Sequence, residues 1–204
     1  MELEKTVNEL KQCEIRSVID KRIHEFKQSR SDNEIFKELC FCLMTANFNA
    51  ERSINIQNQI GNGFLDMNEE NLSLTLKDLG HRFPNMRAKF IILARENKDN
   101  LAKIIKTKSE NEIREWLVKN IKGLGYKEAS HFMRNIGFEN VAIIDFHIID
   151  ILVKNNLIKK PKTMTKKVYL ETENVLKNLG EKLNLNMAEL DLYLWYCETG
   201  KVLK

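Results

Sequence analysis

Apolar residues recur at helical spacing along nearly the whole chain, and nowhere do they alternate over the length of a strand. Ile15, Val18, Ile19, Ile23 and Phe26 fall at the three- and four-residue intervals of one helix face. Ser31-Asp32-Asn33-Glu34 and Ser109-Glu110-Asn111-Glu112 each set a serine three residues before a glutamate. That pattern starts a helix by a reciprocal exchange of side-chain and backbone hydrogen bonds. Asn186 with Glu189 repeats the spacing. Only Val141-Ala142-Ile143-Ile144 resembles a strand, and one run of four residues has no partner with which to form a sheet. Two prolines and eight glycines interrupt little. The expectation is an all-α chain of ten or more helices, without internal repeats or low-complexity segments.

The pattern predicts helices over 2–12 and 15–28. A strongly apolar, buried helix follows the Ser31 box and ends in Thr45-Ala46-Asn47-Phe48-Asn49. Helices are predicted over 50–60 and 69–79, separated by Gly61-Asn62-Gly63. Gly80-His81-Arg82-Phe83-Pro84 reads as a loop carrying an aromatic and two basic side chains. One long basic helix is predicted from Asn85 to about Lys106. After the helix that opens at Ser109 and its successor, Asp145 starts a helix to about Asn155. Two more, over 166–183 and 186–199, close the chain.

Net charge is only +4, but it is unevenly spread. Residues 81–134 hold thirteen Lys and Arg against six acids, which suits a polyanion such as nucleic acid. The four cysteines, Cys13, Cys40, Cys42 and Cys197, include no C-x-x-C pair, and Cys40 and Cys42 cannot face one way on a helix. Neither a zinc site nor an iron–sulfur cluster is indicated, and buried thiols in a reducing cytosol are expected. No signal peptide and no apolar run of membrane-spanning length is seen, so a soluble intracellular protein is expected.

The chemistry concentrates between Lys119 and His147. Two helical patterns flank Ile121-Lys122-Gly123-Leu124-Gly125, whose alternate glycines permit positive φ and close approach of the backbone to a partner. The following helix should open with unpaired amides at its positive dipole end, a ready site for phosphate. Lys127 lies two residues beyond Gly125, and the apolar run 141–144 delivers Asp145 to the start of a helix. Taken alone, Lys127 reads more readily as a phosphate contact, and Asp145 as a helix cap, than as catalytic groups.

Gly123-Leu124-Gly125-Tyr126-Lys127 and Ile143-Ile144-Asp145-Phe146-His147 resemble the hairpin and catalytic segments of the helix-hairpin-helix DNA glycosylase superfamily. Gly125 through Phe132, Leu79-Gly80-His81-Arg82-Phe83, Trp195-Tyr196 and Thr199 through Lys204 are similar to its type-2 archaeal and bacterial 8-oxoguanine DNA glycosylase/AP lyase branch. The likeness spans essentially the whole chain. It departs from the pattern at Lys122, where many hairpins carry proline, and in lacking the four-cysteine loop of iron–sulfur members.

The resemblance implies base-excision repair: removal of 8-oxoguanine from duplex DNA, then strand cleavage by β-elimination. Lys127 is the implied nucleophile, through a Schiff base. The helix dipole and neighbouring cations favour its neutral, attacking form. Asp145 is the implied carboxylate that stabilises oxocarbenium character at C1′. Base recognition falls to Asp191 and Trp195, four apart on one helix face, with Phe83, His131 and Lys204 implied by the family. Gly123, Gly125, Lys122, Arg82 and Asn47 are expected to bind DNA. Asn47 is either the plug that fills the vacated base stack or a helix C-cap. A monovalent cation at the carbonyls of Lys119, Ile121 and Leu124 is implied by the family alone, and no cofactor is expected. The expected organisation is a single glycosylase unit of two subdomains. One comprises 1–46 with 138–204, and the other, 47–137, contains the helix-hairpin-helix at 109–136. A monomer acting on nucleoid DNA in the cytoplasm is expected. The rival readings are a non-enzymatic helix-hairpin-helix DNA clamp and a glycosylase for another damaged base.

Overall fold

A computed structural model describes residues 2–204, and among them the chain forms thirteen α-helices and no strand. These are α1 (Glu2–Leu10), α2 (Ile15–Lys27), α3 (Asp32–Thr45), α4 (Ala50–Ile60), α5 (Gly63–Asp66), α6 (Glu69–Asp78), α7 (Pro84–Arg95), α8 (Lys98–Thr107), α9 (Glu110–Asn120), α10 (Tyr126–Asn135), α11 (Phe146–Lys154), α12 (Lys166–Leu183) and α13 (Met187–Thr199). Two compact units divide the chain. A central unit spans Ser29–Phe132, and a terminal unit takes the chain up to Gln28 together with Met133–Lys204.

The central unit is built round α3. Ser31 and Glu34 close the capping box, with the Ser31 amide donating to Glu34 Oε2 at 2.7 Å and the Glu34 amide to Ser31 Oγ at 3.3 Å. From there Phe36, Leu39, Cys40, Phe41, Cys42, Leu43 and Met44 are all fully buried. A helix apolar on every side must be enclosed, and α4, α5, α7 and α8 enclose it. The grouping of 1–46 with the C-terminal helices therefore differs from the structure: α3 belongs with the elements that follow it. The second boundary also falls earlier, at Met133 within α10.

The single long helix over 85–106 is two. Arg95 turns sideways and donates to the carbonyls of Phe64 (2.8 Å), Met67 (2.6 Å) and Gly63 (3.2 Å), fastening the short α5, which the pattern did not predict. The chain turns at Asn97, whose amide bonds Ala94 O at 3.0 Å, and restarts as α8.

In the terminal unit, α13 packs against α1, α2, α11 and α12. The run Val141–Ile144 is buried, as its apolar character requires, yet it is neither helix nor strand. Side chains of α12 satisfy its backbone instead. The Ala142 amide donates to Glu173 Oε1 at 2.8 Å, the Tyr169 hydroxyl donates to the Ala142 carbonyl at 2.7 Å, and it accepts the Ile144 amide at 3.2 Å. Buried backbone groups must find such partners. This bracket sets the direction in which the chain arrives at Asp145.

Candidate functional site

The central unit carries the hairpin. Arg114 of α9, 2% exposed, reaches Ser130 Oγ of α10 at 3.4 Å, and its guanidinium lies 5.5 Å over the Tyr126 ring. The Tyr126 hydroxyl donates to Glu115. These contacts fix α10 against α9, and the turn between them is tight. Gly123 adopts φ +97°, where a Cβ would lie 2.4 Å from the Phe90 ring, so both its conformation and its surroundings require glycine. Gly125 does not take positive φ. Its amide donates to Glu128 Oε2 at 3.3 Å, so this amide of the opening turn is capped within the protein, contrary to the unpaired state expected. The Leu124 amide bonds Ile121 O at 3.2 Å. Lys122 is exposed, and Lys127, half-buried, stands second in α10.

Around the end of α3 the central unit gathers other predicted residues. Ala46 (φ −61°, ψ 112°) and Asn47 (φ 57°), with the Phe48 amide on Thr45 O at 3.1 Å, form a type II turn. Asn47 takes the left-handed position that such a turn reserves for Gly or Asn, and it is exposed at the tip. Its placement just past the helix fits the cap-like reading of its backbone while leaving the side chain available. Phe83 is half-buried, with Arg82, exposed, stacked 5.0 Å over its ring. His131, 7% exposed, packs edge-on to Phe41 of α3 at 5.7 Å and is part of this unit's core.

His81, one of the two basic side chains of the 80–84 loop, is buried. It is 4% exposed, and its Nδ1 accepts the Phe83 amide at 3.1 Å. The other ring nitrogen, Nε2, must therefore carry the proton, and it donates to Met44 O at 3.1 Å. Burial pushes its pKa below the ordinary histidine range, outweighing the Met44 bond, and Arg87 and Arg52 add to the lowering.

The terminal unit carries the remaining candidates. Asp145 is the N-cap of α11, its Oδ1 accepting the Ile148 amide at 3.0 Å, which orients the carboxylate. Asp191 does not face solvent as a free acceptor. Arg134 Nη1 engages its Oδ2, the two side chains being 5% and 11% exposed. Arg134 also stacks 4.9 Å from the Phe26 ring and bonds Asn135. Trp195, one turn along α13, meets His147 edge-on at 5.1 Å, and its Nε1–H is buried with no acceptor. Lys204 is half-buried.

Sequence reasoning passed over Arg87, Arg134 and Tyr169. Arg87 had a signal, since it shares a helix face with Ile91 and Ala94, both buried. A charge on an apolar stripe marks a buried anchor. Among the described residues, no group of three or more His, Cys, Asp or Glu is placed to hold a metal ion, and no helix is long and apolar enough to cross a membrane.

Two helices joined by a G-x-G turn, in a wholly helical chain with its basic residues concentrated in the central third, define a helix-hairpin-helix protein of the DNA-binding kind. Residues 19–185 match the family described as 8-oxoguanine DNA glycosylase, and the chain belongs to that family. It is 55% identical over 208 residues to an 8-oxoguanine DNA glycosylase/AP lyase of Methanocaldococcus jannaschii, with 100% of both chains covered. It is 52% identical to the protein of that name from Korarchaeum cryptofilum, covering 97% of this chain and 96% of that one. The crystal structure of the Methanocaldococcus jannaschii glycosylase/lyase with a 15mer DNA containing 8-oxoguanine superposes with a TM-score of 0.97 at 54% identity, covering all of both chains. The Thermotoga maritima 8-oxoguanine DNA glycosylase gives 0.94 at 39% identity, covering 100% of this chain and 99% of that one.

Proposed function

We propose that this protein is a bifunctional 8-oxoguanine DNA glycosylase/AP lyase of base-excision repair, acting on duplex DNA that contains 8-oxoguanine. The observation that carries the reading is the full-length match, in sequence and in fold, to enzymes of that name, one of them in complex with 8-oxoguanine DNA.

Lys127 is the nucleophile. Its amine attacks C1′, the C1′–N9 bond breaks with its electron pair leaving on the base, and the base departs protonated. The sugar ring opens to an imine between C1′ and Nζ, with O4′ taking a proton. Loss of a C2′ proton then expels the 3′ phosphate and cuts the strand. Asp145, oriented by its bond to the Ile148 amide, supplies the negative charge that stabilises the oxocarbenium-like sugar. Phe83 and Trp195 cover the faces of the extruded base, with Asp191, His131 and Lys204 serving its recognition. Asp191 is held for that role by Arg134. Asn47, displayed on its turn, fills the duplex. The hairpin glycines, Lys122 and Arg82 grip the backbone without reading sequence. The Ile121 carbonyl already accepts one amide, which leaves a lone pair for a monovalent cation shared with the carbonyls of Lys119 and Leu124. No organic or iron–sulfur cofactor takes part. The enzyme works as a monomer on nucleoid DNA in the cytoplasm.

Borohydride trapping on a duplex with one 8-oxoguanine tests this directly. Wild type forms a covalent adduct and Lys127→Gln forms none. Tight duplex binding by wild type with neither adduct nor base release would leave a DNA clamp and end the enzymatic reading.

A further inference from the structure

Among the buried basic side chains to which the chemistry above gives no part, His81 and Arg87 both reach the end of α3. Each is 4% exposed, too enclosed to meet DNA itself. Both hold carbonyls at the end of α3. His81 Nε2 donates to Met44 O, and Arg87 Nη2 donates to Ala46 O. The carbonyl between them, Thr45 O, closes the type II turn that displays Asn47. The same two residues also hold Phe83. Its amide is bound by His81 Nδ1, and its ring lies 5.9 Å from the Arg87 guanidinium.

Other contacts tighten the assembly. The Phe48 ring packs 4.3 Å from His81, Arg52 stacks 5.0 Å over Phe48, and Arg52 Nη2 donates to Gly80 O at 2.7 Å. On its far side Arg87 lies 5.9 Å from the Phe90 ring, the ring that occupies the space a Cβ at Gly123 would fill. Arg87 keeps a guanidinium in this apolar setting with its Nε–H lacking an acceptor, an arrangement that costs stability compared with a methionine of similar size. What it gains there is the bond by which it fixes the Ala46 carbonyl.

We propose that His81 and Arg87 are positioning residues that bind the Asn47 turn and the Phe83 ring into one block, so that filling the duplex and covering the extruded base are a single event. This rests on the glycosylase reading and on the roles given there to Asn47 and Phe83. A single neutral imidazole spans both loops, so neither loop shifts without the other.

The imidazole can be dissected by two amides. His81→Gln places an amide donor near Nε2 and keeps the Met44 bond. His81→Asn places a carbonyl near Nδ1 and keeps the Phe83 bond. Three readouts are needed: single-turnover excision of 8-oxoguanine from duplex, cleavage of a duplex with a preformed abasic site, and fluorescence of a 2-aminopurine beside the lesion. Each variant should slow duplex excision by about 10- to 100-fold, as expected for a small misplacement of binding groups. Each should also reduce the 2-aminopurine rise, while abasic cleavage, which needs the duplex filled but has no base to cover, falls by less than excision does. Parallel loss of both activities together with a lowered melting temperature would reduce His81 to a structural residue and overturn the proposal. Unchanged excision would overturn it too.

A double-mutant cycle on Asn47 and Phe83 leaves His81 and Arg87 unchanged. Asn47→Ala with Phe83→Leu should be little worse than the poorer single variant, because one event is lost once. Additive losses would refute the coupling. Wild-type excision and adduct formation are the control: their absence would sink the glycosylase reading itself, whereas their presence with additive losses sinks only this one.

Discussion

Arg134 and Asp191, fifty-seven residues apart in sequence, form an ion pair whose side chains are only 5% and 11% exposed. A lone charge at this depth has no water to replace the partner, so removing either one is costly. Arg134→Met should lower unfolding stability by about 3–5 kcal/mol, measured by urea denaturation. Arg134→Met with Asp191→Leu should recover much of that loss, since no charge is then stranded. If the double variant regains stability but not excision, Asp191 has a role in base handling beyond the fold.

Gly123 should tolerate no side chain. Gly123→Ala at φ +97° is expected to cost about 1–2 kcal/mol for the left-handed backbone alone, in addition to the displacement of Phe90. Pairing it with Phe90→Leu should relieve the contact and leave the backbone cost. Duplex affinity measured across a salt series should fall for Gly123→Ala if the turn grips phosphates as proposed, and an unchanged affinity would count against that role.

Tyr169 holds two backbone groups of the segment that leads to Asp145. Tyr169→Phe leaves the Ala142 carbonyl and the Ile144 amide buried without that partner, a penalty of about 1–3 kcal/mol for each group. Base release should slow as well, because Asp145 begins where this segment ends. Glycosylase assays beside thermal denaturation would show both effects, and loss of stability without any loss of rate would show that the bracket does not position Asp145.

His81 makes stability depend on pH in one direction. Burial lowers its folded pKa below the ordinary 6.5, so between the two values the unfolded chain binds more protons and stability rises with pH. The contribution is complete above about pH 6.5 and is lost as pH falls through the folded value. Denaturation curves from pH 7.5 down to 5 should therefore diverge between wild type and His81→Gln, with the wild type losing more toward acid. Parallel curves would show that His81 does not titrate on unfolding.

Helices were legible where their signals are local. The observed bounds of α4 and α12 coincide with the predicted ones, and both serine boxes and the Asn186 box form as the spacing required. The break between α7 and α8 was invisible because its composition is helix-compatible throughout. Its visible anchor is Arg95, which reaches carbonyls about thirty residues earlier in the chain. The placement of α3 depends on which elements enclose it, and apolar character alone does not name them. The places of Lys127 in the first turn of α10 and of Asp145 at the cap of α11 were legible from spacing. The Asp191 partner was not, because an acidic residue between two leucines announces burial without naming the cation. The burial of His81 was not legible, because histidine in a loop beside arginine carries no sign of the carbonyl it will meet.

The bracketing of Val141–Ile144 by α12 bears on how the protein behaves at high concentration. Extended apolar segments with unmet amides and carbonyls recruit matching segments from other molecules, and this is how ordered aggregates begin. Here the Ala142 amide and carbonyl and the Ile144 amide are taken by Tyr169 and Glu173, and the side chains of the run are buried. The most strand-like sequence in the chain thus offers no template for cross-molecular pairing while α12 stays in place.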